Sequence, residues 1–427
     1  MKTLSRWGAV GLWLVVSLGQ AEPLPEPLTL DYALSLADEF HPDLAVAQAG
    51  IDQARAERGL AAAQTGLTAT IEARARWVDP PEVANDPRRA DHRAALVLRK
   101  PLYDFGRSSH LHGAAEAEVE RSRHLWLERR QQRRLDIMRH FFDVLLADLE
   151  YTYDNEAMTM AFLRFDRARD RMELGQVAEY EVRALEAEFE RLLHRRSESQ
   201  SRQRLARVAL AHALNRPDHP PAALAMPALE SITRSRPELE PLIEQALTQN
   251  PRLAALQAGV DAARQRVAAA EAGLRPRLVG EAEALSWHRN MGGHDNWRAG
   301  VLLEIPLLDG GANRAGISRA RAELMQAQAE LDHLRMALRR DITETWFLLR
   351  DLEVQQRGLT TALDARELQL DRSRALYEME VQADIGDSMV RLTESQWRQV
   401  ANRFDRALAW ARLDALTGAM PGQAREE

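Results

Sequence analysis

The chain has 427 residues, 28% of them charged and 6% aromatic, and it is rich in Ala, Leu, Glu, Arg and Gln, a mixture that favours long helices with repeating faces. Its net charge is -7 with both signs mixed throughout, and the lack of any Lys/Arg block excludes an extended nucleic-acid groove. Cysteine is absent, which excludes disulfides and a cysteine-borne N-terminal lipid.

The N-terminus reads as an export signal over residues 1–21. Lys2 and Arg6 precede the apolar run "WGAVGLWLVVSL", and Gly19 and Ala21 offer small residues at a cleavage point before Glu22. The run is too short to span a bilayer. No later segment reads as a transmembrane helix, so entry into a membrane would have to use strands.

Residues 22–216 form a first unit. A helix is expected over 43–64, entered through Pro42, where proline suits a first turn. A β-hairpin follows over 67–102. "TATIEARARW" alternates Ala69, Ile71, Ala73, Ala75 and Trp77 with Thr70, Glu72, Arg74 and Arg76. "RAALVLRK" sets Ala94, Leu96 and Leu98 against Arg93, Ala95, Val97 and Arg99. A long helical hairpin then fills 107–215, with a long arm over 107–172, the turn "MELGQVAEY" and a return helix.

A proline-rich linker, "NRPDHPPAALAMPALESITRSRPELEP", places an irregular segment at 217–241. Residues 242–420 repeat the first order: a helix over 252–272, a β-hairpin over 276–306 and a helical hairpin over 312–418, before a tail at 421–427. In that hairpin Leu278, Gly280, Ala282 and Ala284 oppose Val279, Glu281 and Glu283, while Trp297, Ala299, Val301, Leu303 and Ile305 oppose Arg298, Gly300, Leu302 and Glu304. All 18 prolines fall outside 102–216 and 307–420, two windows of roughly 115 residues that mark a duplicated unit. "HPDLAVAQAGIDQAR" matches "NPRLAALQAGVDAAR", and one constant offset carries Asp136-Ile137 onto Asp341-Ile342 and Phe141-Phe142 onto Trp346-Phe347.

The same corner occurs in both halves, as "KPLYDFGR" and "IPLLDGGANR". Pro101 and Pro306 are expected to end strands because proline cannot donate to a ladder. Asp104 and Asp309 can cap the amides of the next helix. Gly106 and Gly311 allow a sharp turn. The "DGGANRAG" stretch lacks the spacing and lysine of a phosphate loop.

Each long arm would reach about 100 Å at 1.5 Å per residue. Leu135, Met138, Phe142, Leu145 and Leu149 give a coiled-coil seam, as do Leu338, Ile342, Thr345, Leu349 and Leu352. A second stripe, Ile137, Phe141 and Val144, widens the packing face. The shorter helices are expected to stack end to end beside the long ones. Four strands cannot seal a membrane barrel, which starts at about eight. Three chains would supply twelve, with the polar faces Glu72, Arg74, Arg76, Glu281, Glu283 and Glu304 lining water. Trp77, Trp287 and Trp297 would sit in an interfacial girdle.

With the paired "HPDLAVAQAGIDQAR"/"NPRLAALQAGVDAAR" segments and the paired corners, the chain resembles the TolC family of outer-membrane factors over nearly its whole mature length. The resemblance implies a mainly α fold with a β-barrel part: a homotrimer whose twelve-stranded outer-membrane barrel, four strands per chain, continues into a long α-helical coiled-coil barrel, each chain carrying two internal repeats. It implies a passive conduit of a tripartite efflux or type I secretion system in a Gram-negative outer membrane, reaching through the periplasm to a periplasmic adaptor and an inner-membrane transporter. The turns Leu174, Gly175, Gln176, Val177 and Ala178, and Met379, Glu380, Val381, Gln382 and Ala383, align with the family's adaptor-contacting tips; Glu380 stands where the first tip has Gly175. Asp384 and Asp387 are candidates for the family's ring of aspartates at the periplasmic aperture. A gap-free alignment instead puts Gly386 and Met389 at the ring, which leaves the two aspartates as an acidic helix start favoured by the dipole.

Two other classes fit the sequence less well. A periplasmic coiled-coil adaptor or scaffold would carry one long hairpin rather than two with amphipathic strand pairs. An enzyme would need a nucleophile elbow, P-loop or paired carboxylates, and none stands out. His110 with His112, and His288 with His294, lack carboxylates at ligand spacing, so neither a metal nor a cofactor is expected.

Overall fold

The computed structural model describes residues 24–84, 86–289, 295–379 and 384–422. The expected signal segment, His294, Glu380 to Ala383 and the tail beyond Gly422 lie outside the described residues.

Local chemistry starts each helix. The Thr29 hydroxyl accepts from the Tyr32 amide and opens the short α1 (Leu30–Ser35). His41 Nδ1 accepts from Asp43 N (3.1 Å), with Pro42 at the first position of α2 (Pro42–Ala63). In the second half Asn250 Oδ1 accepts from Leu253 N (3.0 Å) and Pro251 leads α6 (Pro251–Ala272). Neither α1 nor α5 (Leu239–Gln249) is marked by a long apolar period, and α5 begins inside the stretch read as linker.

The long arms are α3 (Arg107–Glu173) and α7 (Ala312–Glu378), each 67 residues, or about 100 Å. Their return helices are α4 (Glu179–Ala213) and α8 (Ile385–Leu416). Both α2 and α4 pack on α3, whereas α6 and α8 each touch α3 and α7. The helices thus form a curved layer in the order α2/α4, α3, α6/α8, α7. The shorter helices abut. Asn215 Nδ2 donates to Phe40 O (3.1 Å) and Arg216 pairs with Glu39 (3.2 Å), joining α4 to the start of α2. Asn250 Nδ2 donates to Leu416 O (3.1 Å), joining α8 to α6.

The main cores lie at these junctions. Ile137, Phe141, Phe142 and Val144 of α3 are fully buried against Leu28, Leu34 and Leu210, with Phe404 of α8. Leu242 and Ile243 of α5 cover Ile342, Leu349 and Trp410. Burying each such side chain contributes roughly 1.5–3 kcal/mol. Around this level the chain wraps itself: Leu28 forms a parallel bridge with Leu224. Two buried arginines fasten the wrap. Arg133 Nε donates to Ala37 O (2.9 Å), and Arg134 Nε donates to Pro421 O (2.7 Å). A helix end leaves carbonyls without partners, and a guanidinium fork can reach several of them.

The strands β1 (Thr68–Arg74), β2 (Arg93–Tyr103), β3 (Arg277–Trp287) and β4 (Trp297–Glu304) form one antiparallel sheet in sequence order. The two hairpins are therefore joined through β2 and β3. β1 stops short of the expected Trp77, which keeps only an isolated bridge to Ala90. Pro101 does not end its strand. It lies inside β2, opposite Val279 and beside a register shift, beyond Arg99, where β1 no longer pairs. A missing amide is tolerated at such an edge. Pro306 does follow the end of β4.

Candidate functional site

The sheet register sorts its side chains into two faces. Ile71, Leu96, Ala284 and Trp297 line up across the four strands on one face. Val301 and Leu303 continue that face down β4. Ile71 is 79% exposed and Trp297 73%, so this apolar face is largely uncovered among the described residues. The other face is a charge ladder. Arg93 pairs with Glu72 (4.0 Å), Arg99 with Glu281 (3.0 Å), Arg298 with Glu283 (2.7 Å), and Arg277 with Glu304. Ala95, Val97 and Leu285 are buried among these pairs. Trp287 stands opposite Arg93 on this polar face, with the guanidinium over its ring, so it is not part of the apolar girdle expected for it. Arg76 lies beyond β1 and pairs with Asp91 in the loop.

The corners convert strands into long helices by one geometry. Gly106 and Gly311 sit at φ 87° and 89°, the left-handed region that favours glycine. Asp104 Oδ2 accepts from the Ser108 amide (2.9 Å). Asp309 accepts from the amides of Gly311 (2.9 Å) and Asn313 (2.8 Å), and those bonds hold its carboxyl below the usual carboxylate range.

At the far end, α3 closes at Leu174, and Gly175 takes φ 69°. Gly175 N donates to Met172 O (2.8 Å) and Gln176 N to Arg171 O (2.9 Å), which satisfies carbonyls that the helix end would orphan. Gln176 and Val177 cross to Ala178, which caps α4 in an extended conformation. Leu174 is 72% exposed and Tyr180 73%, which leaves an apolar tip uncovered among the described residues. Met379 ends α7 and is likewise exposed, while the rest of that turn is outside the described residues.

Asp384 is the N-cap of α8, its carboxylate accepting from the Asp387 amide (2.9 Å). The two aspartates thus stand at the N-cap and in the first turn of α8. Both carboxylates also turn to α3, where Arg164 reaches Asp384 at 2.5 Å and Asp387 at 3.5 Å. Arg391 adds a bond to Asp387 (2.7 Å). Burial pushes the Asp384 carboxyl up, yet the Asp387 amide and Arg164 outweigh it and hold the group below its ordinary value. Sequence reading missed Arg164, which lies 220 residues from its partner in one of many Arg-rich turns. A Cβ on Gly386 would fall on the Met160 side chain, so α8 begins in close contact with α3.

Among the other candidates, His110 Nδ1 contacts Gln265 (2.8 Å) and His112 contacts Glu116 (3.6 Å), so the two histidines serve separate neighbours. No group of three or more potential metal ligands gathers among the described residues.

Residues 242–419 match the family described as outer membrane efflux protein. The chain is 26% identical over 251 residues to Protein CyaE of Bordetella pertussis, across 57% of this chain and 52% of that protein. It is 25% identical over 189 residues to the alkaline protease secretion protein AprF of Pseudomonas aeruginosa, across 41% of this chain and 38% of that protein. The matches therefore span about half or less of these relatives' lengths. In fold, the chain superposes on the Campylobacter jejuni CmeC outer membrane channel with a TM-score of 0.78 at 15% identity, over 93% of this chain and 87% of that one. The second half of the chain is thus similar to the outer membrane efflux proteins, and the chain as a whole has the fold of the outer membrane channels.

Proposed function

We propose that the chain is the outer-membrane channel of a tripartite efflux or type I secretion system, a passive homotrimeric conduit across outer membrane and periplasm. The observation that carries this is the incomplete sheet. Its outer strands β1 and β4 each have one neighbour, and one whole face is apolar and uncovered. Open strand edges are not stable in lipid, so copies must complete them. β2 and β3 have 11 residues each, the length a tilted membrane strand needs. Three copies close twelve strands, with the paired charges turned to a wet lumen and the apolar face to lipid. The helical layer, open at α2/α4 and at α7, continues the same closure through the periplasm. The two halves share element order, arm length and corner geometry, which supports their origin as internal repeats.

The tips around Gly175 and Met379 are the docking surface for a periplasmic adaptor and, through it, an inner-membrane transporter. Asp384 and Asp387 sit at the periplasmic aperture, where Arg164 neutralises them in the closed arrangement. The alkaline protease secretion relative favours polypeptide cargo, and the efflux family favours small solutes. Crosslinking and planar-bilayer recording of the purified chain test the conduit. Trimers with a discrete conductance are expected, and a water-soluble monomer without conductance overturns it. Co-purification of the adaptor and transporter then assigns the system.

A further inference from the structure

β2 and β3 join the two hairpins, and their ladder continues past Arg93 and Trp287. One step further out the His288 amide donates to the His92 carbonyl (2.9 Å), which sets the two histidines opposite each other. Directly opposed residues on antiparallel strands hold their Cβ atoms roughly 4.5–5.5 Å apart. The imidazole rings face each other with centroids 5.3 Å apart and planes tilted by 39°. Trp77 meets His92 edge-on from another side, also at 5.3 Å, and restricts that ring. Nδ1 of His92 is buried and has no hydrogen-bond partner among the described residues.

An ion of the zinc kind holds each imidazole nitrogen at roughly 2.0–2.1 Å in near-tetrahedral geometry, which places two ligated ring centres about 5 Å apart. Ring pairs without an ion span roughly 4.5–7 Å, so spacing alone does not decide. The orphaned nitrogen does: a buried polar atom without a partner is costly, and a metal ion is one partner that an imidazole nitrogen accepts. The neighbouring cations are already engaged. Arg289 donates to Asp86 O (2.6 Å), Arg93 lies over Trp287, and Arg76 and Arg88 pair with Asp91 and Asp86.

We propose that His92 and His288 form a two-imidazole site for a borderline divalent cation of the Cu2+, Ni2+ or Zn2+ class, with water completing the coordination. With only two protein ligands the ion exchanges rather than building the fold. Its place is the sheet end remote from the helices, since the opposite ends of β2 and β4 lead into α3 and α7. Occupancy ties the first hairpin to the second at the strand pair β2–β3 that joins them, whether or not the sheet closes into a barrel.

The test uses the purified full chain in detergent with any affinity tag removed, titrated with NiCl2 by calorimetry and with Cu2+ by electron paramagnetic resonance. Wild type is expected to bind one ion per chain at its tightest site, with two-nitrogen coupling to Cu2+ and a melting midpoint that rises with Ni2+. His92→Gln and His288→Gln each weaken that site at least tenfold and leave one-nitrogen coupling, whereas His110→Gln does not. His288 is exposed, so His288→Gln keeps the ion-free midpoint; His288→Cys, which supplies a thiolate, regains binding. Equal affinity and stoichiometry in wild type and His288→Gln overturn the proposal, as does an equal loss in His110→Gln.

Discussion

The hairpins α3–α4 and α7–α8 have long arms of equal length, yet they are fastened in different ways. Between α3 and α4 runs a series of ion pairs: Asp148 with Arg207 (2.8 Å), Glu150 with Arg202 (3.0 Å) and Asp154 with Arg195 (2.9 Å). Between α7 and α8 the polar links among the described residues are neutral or half-neutral. Ser373 meets Ser388 (2.8 Å), Asn402 Nδ2 donates to Leu352 O (3.1 Å), and Arg406 bonds to Gln356. α8 adds charged and aromatic contacts to α3. Phe142 and Phe404 stack at 4.4 Å, Thr393 donates to Glu156 (2.7 Å), and Arg164 holds the first turn. The first hairpin is stapled to itself, and the second is mounted on the first. Two hairpins of equal arm length thus differ in which neighbour each return helix leans on.

The largest effect should come from breaking that mount. Phe404→Ala removes a fully buried ring from the α3–α8 junction and should cost about 3–5 kcal/mol. Urea unfolding of the detergent-solubilised protein measures it; a loss below about 1 kcal/mol would mean that α8 does not depend on α3.

Next comes the far end of the same contact. The Arg164 pairs are about half exposed, so each contributes about 0.2–1 kcal/mol. Losing both pairs, Arg164→Ala should shift an open–closed balance by up to about thirtyfold, read as longer open times in planar bilayers. Unchanged gating and unchanged cation selectivity would overturn the proposed place of Asp384 and Asp387 at the aperture, Arg391 still holding Asp387 in the variant.

pH sharpens the comparison because the two anchoring aspartates are shifted in opposite directions. Asp384 is held below its ordinary 3.8, so its stabilisation is complete above that value and is lost only as pH falls through the lower folded pKa. The α8 tether therefore survives mild acid. Asp154 is fully buried, and burial pushes its carboxyl above 3.8 despite Arg195. Its contribution is complete below 3.8 and declines as pH rises through the raised folded value. Melting midpoints against pH should show that Asp154→Asn flattens this decline, while Asp384→Asn flattens only the strongly acidic limb. The smallest effect belongs to the surface staple. Glu150→Gln should cost no more than about 0.5 kcal/mol and become indistinguishable from wild type in high salt.

Much of this fold is legible in residue order. The proline-free windows, the three-four apolar spacing and the Asp–Gly corners depend on local backbone chemistry, and the long arms run from Arg107 and Ala312 as that chemistry requires. Strand alternation likewise set the apolar face from Ile71 to Trp297, because period two is a property of the strand itself. The order of the helices around α3, the meeting of the hairpins at β2 and β3, and the bonds of Arg164 to Asp384 were decided only in three dimensions. Each joins residues far apart in the chain, and one arginine among many carries no mark of its distant carboxylate. Pro101 inside β2 and Trp287 on the charged face teach the same point. Propensity says what a residue tolerates, whereas its neighbours across the sheet determine which tolerance is used.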